Sequence, residues 1–253
     1  MEKAALSPAT KSLALSLRPE IRGRRARENL EINLSMSYRR PRCGSMLLIA
    51  LALVTGAILA FPSIWGPVLR AAGWALVVNE PVAPADIIVI SSASGGAGAL
   101  QAADLVQNGI ARRVAVFTDP PSGEDFEFIR RGLPYEDGAA RQIRQLGWLG
   151  VTDVVQIPRA EATTEDEARV LPPWCDQHKL KSIVFVADRD HSRRTRRVLN
   201  RAMKGHLTRV TVQPSRYSSF DPDAWWETRS GIRTEISEFQ KLVLEIILHP
   251  NAF

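Results

Sequence analysis

Several short apolar runs in this chain pass directly into helix-like segments, and this alternation constrains the fold more than any other feature. The clearest example is Ile183–Arg201, where an apolar run stops at Asp188 and an arginine-rich segment begins near His191. A short β-branched and aromatic run bounded by charge is typical of a strand buried on both faces of a parallel sheet. The repeated alternation therefore predicts a doubly wound α/β domain with right-handed crossovers.

Five strands are expected along the chain. We place them at residues 86–91, 114–118, 151–157, 183–187 and 207–213. Helices are expected over residues 100–108 and 137–146, from Thr163 or Thr164 until Pro172 and Pro173 break or restart the helix, from Ser192 to about Lys204, and over 232–248. The predicted fold is a three-layer, Rossmann-like, mostly parallel sheet of about five strands within residues 85–250.

The last helix has the most regular apolar pattern. Its large apolar residues recur every three or four positions: Ile232, Ile236, Phe239, Leu242, Val243, Ile246 and Ile247. A stripe of this kind normally faces the core, so we expect the helix to pack this stripe against the sheet.

The excess positive charge lies entirely in the first 45 residues. This tail carries ten Lys and Arg against four Asp and Glu, whereas the rest of the chain carries 23 of each. That distribution argues against a basic nucleic-acid-binding domain and predicts a disordered, cytoplasmic tail. Met36 begins a sequence that resembles a short basic leader, so a start at Met36 is an alternative to a tail of full length.

An uncharged segment, Met46–Trp65, follows the tail. As a helix it would be about 30 Å long, which is enough to cross a hydrocarbon core. Arg39, Arg40 and Arg42 precede it, so the positive-inside rule predicts a single-pass inner-membrane protein with a cytoplasmic N-terminus and a periplasmic C-terminal domain. A cleaved signal peptide is the alternative, and Ile58 two places before Ala60 disfavours it. Residues 66–84 are expected to form a connector.

From Trp74 to about Leu248 the chain resembles the YdcF/SanA/ElyC family of bacterial envelope-associated domains. The resemblance rests on motifs in order: Asp86 with Gly95 and Gly96, Ala102–Gly109, Thr164 with Glu167 and Ala168, His191 with Arg194, and Trp225, Trp226, Gly231, Glu238 and Lys241. It implies a membrane-anchored domain that acts in cell-envelope metabolism on peptidoglycan or polyprenyl-phosphate-linked precursors. The chain departs from the family pattern in having no arginine near Gly98–Leu100, and in having Ala187 and Asp188 where a Thr-Ser sequence is usual.

His191 and Arg194 are the first candidate pair for chemistry. Histidine titrates near neutrality and moves protons, while the arginine fork binds phosphate or carboxylate. We therefore expect His191 to be catalytic and Arg194 to bind an anionic ligand. The alternative is structural, with His191 bonded to a neighbouring loop and Arg194 paired with Asp188 or Asp190. The remaining arginines of this segment are expected to form a solvated face or to attract anionic lipid.

The second group of candidates lies on two other loops. Ser94, Gly95 and Gly96 are expected to present backbone N–H groups to an anion, or to form a plain tight turn. Thr164 is expected to bind the ligand and Glu167 to act as a general base, although the same residue types also form a helix capping box. No metal-ligand spacing or cofactor motif is evident.

These observations predict a protein that binds an anionic small molecule or lipid-linked ligand and contacts membrane lipids, without nucleic acid. Whether it catalyses a reaction is left open by the sequence. A non-catalytic module for a nucleotide-like ligand such as S-adenosylmethionine, and a membrane scaffold, are the two alternatives.

Overall fold

The computed structural model describes residues 43–60, 62–158 and 163–252. The chain divides into two units, Met1–Ala60 and Phe61–Phe253. In the first unit the structure describes helix α1, Cys43–Ala60, whereas the expectation for the basic tail falls on residues outside the described part. Among the described helices, none combines the length and the apolar character that crossing a bilayer requires.

The second unit is built on a five-stranded sheet in which every pair of neighbouring strands is parallel. Its strands are β1 (Ile87–Ile90), β2 (Val114–Thr118), β3 (Val154–Pro158), β4 (Ser182–Ala187) and β5 (Arg209–Pro214). They lie in the order β3-β2-β1-β4-β5. The predicted parallel α/β fold is thus confirmed, with strand bounds that differ from the prediction by no more than three residues.

Among the residues of this unit that the structure describes, there are seven further helices. They are α2 (Pro62–Ala75), α3 (Gly95–Gln107), α4 (Gly123–Arg130), α5 (Gly138–Trp148), α6 (Thr164–Gln177), α7 (Ser192–Ala202) and α8 (Arg229–Leu248). Helices α3 and α5 cover one face of the sheet, and α6 and α7 cover the other. Three layers result.

Alternation along the strands divides the core between the two faces. Ile88 and Ile90 of β1 pack among the alanines of α3, whereas Ile87 and Val89 pack among residues of α6 and α7. All four side chains are buried, as expected for a strand covered on both sides. Gly98 of α3 allows this close packing, because a Cβ atom there would lie 2.5 Å from the Cγ2 atom of Ile90.

One local expectation was wrong, and two segments without a predicted helix contain one. Helix α6 continues through Pro172 and Pro173, since Leu171 and Cys175 on either side of them are fully buried against the sheet. The expected connector contains helix α2, which is joined to the domain by the indole N–H of Trp225, donated to the carbonyl of Leu69 at 2.8 Å. The long segment after β2 contains the short helix α4, begun by a capping box at Ser122.

Helix α8 also contradicts its prediction. The buried positions of this helix are Glu235, Glu238, Leu242 and Glu245, while the other six apolar residues that were expected to face the sheet are exposed. The partner of α8 explains this reversal, because α8 packs on the arginine-rich helix α7 rather than on an apolar surface. Arg194 pairs with Glu238 and Arg201 with Glu245.

Candidate functional site

The candidate site lies where the strand order reverses, at the carboxyl ends of β1 and β4. The two strands are neighbours, and the N–H of Ser91 donates to the carbonyl of Val186 at 2.9 Å just beyond β1. Each strand then enters a short 3-10 turn, Ser92–Ser94 after β1 and Arg189–His191 after β4. Ligands of open α/β sheets bind in the crevice at such a reversal.

Glu167 is buried beside the turn that follows β1. Its carboxylate accepts hydrogen bonds from the Ser91 hydroxyl at 3.0 Å, the Ser92 N–H at 2.9 Å and the Ser92 hydroxyl at 2.8 Å. The residue is only 2% exposed. These contacts tie the first turn of α6 to the end of β1. Sequence reasoning missed both serines, although two consecutive hydroxyl residues directly after a strand were a usable signal.

His191 is held in the turn after β4 by an acidic neighbour. Its Nδ1 atom lies 2.9 Å from a carboxylate oxygen of Asp190, and the residue is 8% exposed. Burial lowers the pKa of His191, but the hydrogen bond and the negative charge of Asp190 outweigh it, so the net pKa of the imidazole is raised.

Asp188 is the second titratable group of this turn. Burial, together with the charge of Asp190, raises the pKa of Asp188 to about 6, while His191 acts in the opposite direction. One of its carboxyl oxygens is buried without a hydrogen-bond partner among the described residues. The segment after β4 thus places two titratable groups with raised pKa values, Asp188 and His191, at the reversal point.

Arg194 projects from α7 toward α8, where it meets Glu238. Two of its nitrogens donate to one carboxylate oxygen of Glu238 at 3.3 Å, and Lys241 donates to the other oxygen at 2.6 Å. The side chains of Arg194 and Glu238 are 13% and 11% exposed. Two cations therefore share one acid, which leaves the cluster with an excess positive charge. In the structural alternative, Arg194 pairs with Asp188 or Asp190; its acidic partner in the structure is Glu238 instead.

A cavity of about 510 Å³ opens beside this cluster. Its polar lining consists of Thr163, Thr164, Glu165, Arg194, Arg201, Lys241, Glu245 and His249. Thr163 is the residue that caps α6, because its hydroxyl accepts from the Asp166 N–H at 3.1 Å. The structure thus brings Thr164 and Arg194, two of the predicted ligand-binding residues, to one cavity at a helix N-terminus.

The glycine-rich segment lies elsewhere. Ser94 is buried before the first turn of α3, and Gly95 follows it with a φ of +46°, a conformation that favours glycine. The carbonyl of Gly95 accepts from the Gln142 side chain of α5 at 3.3 Å, and a Cβ atom on Gly96 would lie 3.3 Å from the amide nitrogen of Gln145. Helix α5 therefore covers this turn. Ser94, Gly95 and Gly96 are not among the lining residues of the cavity that contains Arg194.

The other arginines of α7 have structural partners, which corrects the expectation of a solvated or lipid-attracting face. Arg193 donates to the carbonyls of Ala75 and Val77 after α2. Arg196 donates to the carbonyl of Val210 and pairs with Glu80, and Arg197 donates to the carbonyl of His249. These side chains hold the surrounding segments onto α7.

The fold defines the class of the protein: a parallel, Rossmann-like α/β domain with buried polar groups at its strand reversal and a separate cavity lined by residues of α6, α7 and α8. Within the described residues, no group of three His, Cys, Asp or Glu side chains is arranged to hold a metal ion. Neither models of known protein families nor functionally characterised proteins match this chain.

Proposed function

We propose that this chain is a membrane-tethered, YdcF-like α/β domain whose basic cavity binds a phosphate- or carboxylate-bearing ligand of bacterial cell-envelope metabolism. The ligand class includes a soluble anion and the anionic head of a lipid-linked precursor. The observation that carries the proposal is the sharing of Glu238 by Arg194 and Lys241 at the cavity wall. A second negative group is the natural partner for the remaining positive charge.

The N-terminus of α6 adds to this preference. Thr164 is its first helical residue and lines the same cavity as Arg194. Unpaired N–H groups and the helix dipole favour an anion at such a terminus. Glu165 and Glu245 also line the cavity; Glu245 is already paired with Arg201, and Glu165 is exposed to solvent.

The membrane tether rests on the sequence. Met46–Trp65 carries no charge, and three arginines precede it within seven residues. This pattern supports a cytoplasmic N-terminus and an α/β domain on the periplasmic side of the inner membrane.

Binding is tested by calorimetric titration of the full chain in detergent micelles with inorganic pyrophosphate and with a short polyprenyl phosphate. We expect both probes to bind, and Arg194→Gln to weaken each by about tenfold, equivalent to about 1.4 kcal/mol. Arg141→Gln is the matched control, because Arg141 is an exposed arginine of α5 on the other face of the sheet. Failure of both probes to bind, or equal affinity of the Arg194 variant, would overturn the proposal.

A catalytic role for His191 is the further step of this proposal. The ring is buried and paired with Asp190, and it does not line the cavity in the described part of the chain. If His191 transfers a proton, His191→Ala should abolish complementation of a deletion strain while the protein still accumulates. Normal complementation would leave a binding protein without catalysis.

The strand order favours a second candidate, a nucleotide-like ligand such as S-adenosylmethionine. Such ligands bind at the crevice between the two central strands of this topology, here β1 and β4. In the same titration, binding of S-adenosylmethionine that is unaffected by Arg194→Gln would favour this candidate over the anion-binding cavity.

A further inference from the structure

Helix α8 displays a continuous apolar stripe to solvent. The stripe consists of Ile232, Ile236, Phe239, Val243, Ile246 and Ile247, each between 38% and 68% exposed. Their spacing of three and four residues places them on one side of a helix of 20 residues, about 30 Å long. Solvent-exposed apolar surface that is continuous over this length marks an interaction site rather than ordinary surface variation.

The charges of α8 are sorted between its two sides. All three acids of the helix, Glu235, Glu238 and Glu245, are buried toward the domain. Two of its bases, Arg229 and Arg233, are exposed on its first turns, whereas Lys241 donates to Glu238 at the cavity wall. The outward surface of α8 is therefore apolar and basic, which is the composition of helices that lie in the interface of an anionic bilayer.

The beginning of α8 lies beside a cluster of tryptophans. Trp225 and Trp226 pack edge to face with ring centroids 5.9 Å apart, and Trp65 of α2 packs on Trp226 at 6.2 Å. Tryptophan is enriched at the level of lipid head groups. Trp65 is the last residue of the uncharged segment Met46–Trp65, and it lies in helix α2.

We propose that the stripe on α8 is a membrane-docking surface that rests in the head-group region of an anionic bilayer. The alternative occupant, the same stripe of a second copy, is disfavoured by charge. Arg229 and Arg233 are the exposed charges of α8 beside the stripe, so two such surfaces brought together would place like charges at one interface.

Docking on α8 gives the cavity a position relative to the lipid. Lys241, Leu244 and Leu248 of α8 line the cavity. Where the ligand of the proposed function is lipid-linked, its head would occupy the cavity while its chain stays in the bilayer beside the same helix. This last step rests on the proposed function, whereas the docking surface does not.

The test uses the full chain in lipid nanodiscs, in a Cys43→Ser background where the remaining cysteine, Cys175, is buried. Single cysteines are introduced as Ile236→Cys or Phe239→Cys and labelled with bimane. The control is Arg141→Cys on α5. Quenching is measured with nitroxide-labelled lipid and with iodide in solution.

In nanodiscs of phosphatidylcholine and phosphatidylglycerol, we expect lipid nitroxide to quench the stripe labels about threefold more than the control label, and iodide to quench them less. Replacing phosphatidylglycerol by phosphatidylcholine, or introducing Arg229→Glu with Arg233→Glu, should reduce the lipid quenching. Iodide quenching equal to the control would overturn the proposal. Cross-linking between copies at Phe239→Cys without lipid quenching would instead assign the stripe to a second copy. The titrations in detergent do not depend on this outcome, so the two proposals fail separately.

Discussion

Glu235 offers a sharp test of the reversed packing of α8. Because this helix turns its acidic side inward, Glu235 is 4% exposed, and one of its carboxyl oxygens has no hydrogen-bond partner in the described part of the chain. Burial raises the pKa of Glu235 to about 7 from its usual 4.5. The native state therefore holds a proton on Glu235 between these two pH values, whereas the unfolded state releases it. The free energy of unfolding must fall as the pH rises from about 4.5 through about 7.

The substitution Glu235→Gln removes this cost of ionisation while keeping the shape of the side chain. A pKa raised from 4.5 to about 7 corresponds to about 3 kcal/mol. Screening by solvent brings the expected gain to about 1–2 kcal/mol. The variant should thus be more stable than the parent at pH 8 and nearly equal to it at pH 4.5. The parent and the variant are compared at each pH because Asp188, whose pKa is also raised, makes the free energy of unfolding of both proteins fall as the pH rises.

The measurement is urea unfolding of the full chain in detergent micelles, followed by tryptophan fluorescence at pH 4.5 and pH 8. A gain of this size should raise the urea midpoint by about 0.5 M at pH 8. Glu227→Gln is the control, because Glu227 is exposed just before α8 and its replacement should leave the pH dependence unchanged. A variant that is less stable than the parent at pH 8 would show that the folded state stabilises the charged form of Glu235. Its burial without a partner for one carboxyl oxygen would then be wrong.

Three further changes test the fold and the site by the same unfolding measurement. Gly98→Ala should lower the free energy of unfolding by about 1–3 kcal/mol, because the new methyl group meets Ile90 of β1. Gly147→Ala in α5 is the control and should be neutral or stabilising, because its surroundings are open. Equal effects of the two substitutions would contradict the close approach of α3 to the sheet. Glu167→Gln should cost about 2–4 kcal/mol, because the hydroxyl and N–H donors after β1 lose a charged acceptor, and an unchanged midpoint would refute the tie between α6 and β1. A double-mutant cycle of Arg194→Gln and Glu238→Gln should give a coupling energy of about 1–2 kcal/mol, and additive effects would mean that the pair does not form in solution.

The sheet could be predicted from the sequence because its signal is local. Each strand is a short run rich in β-branched residues that stops at a polar or charged residue, and the following helix has a periodic apolar face. Parallel pairing follows from the alternation itself. Thr164 follows β3 and Arg194 follows β4, two strands that β2 and β1 separate; they meet at one cavity because the helices α6 and α7 cover the same face of the sheet.

The remaining features depend on which elements become neighbours, and no local pattern contains that information. The apolar stripe of α8 looked like a core face because periodicity identifies a stripe but not its partner. The deciding fact was that α7 offers arginines, so the acids of α8 turned inward. The glycine turn was placed with the site by analogy, whereas Gln142 of α5 covers it. The hydroxyl partners of Glu167 come from residues 75 and 76 positions away.

The joint between α2 and α7 has a mechanical consequence. Beyond the end of α2, the N–H of Val78 donates to the Ser192 hydroxyl at 3.0 Å, and the carbonyl of Leu76 accepts from the N–H of Arg193 at 3.0 Å. Ser192 follows His191 directly. A displacement of the end of α2 would consequently act directly on the backbone of Ser192 and Arg193, next to His191. The segment after α2 and the start of α7, which follows the turn that carries His191, are therefore linked directly by two hydrogen bonds.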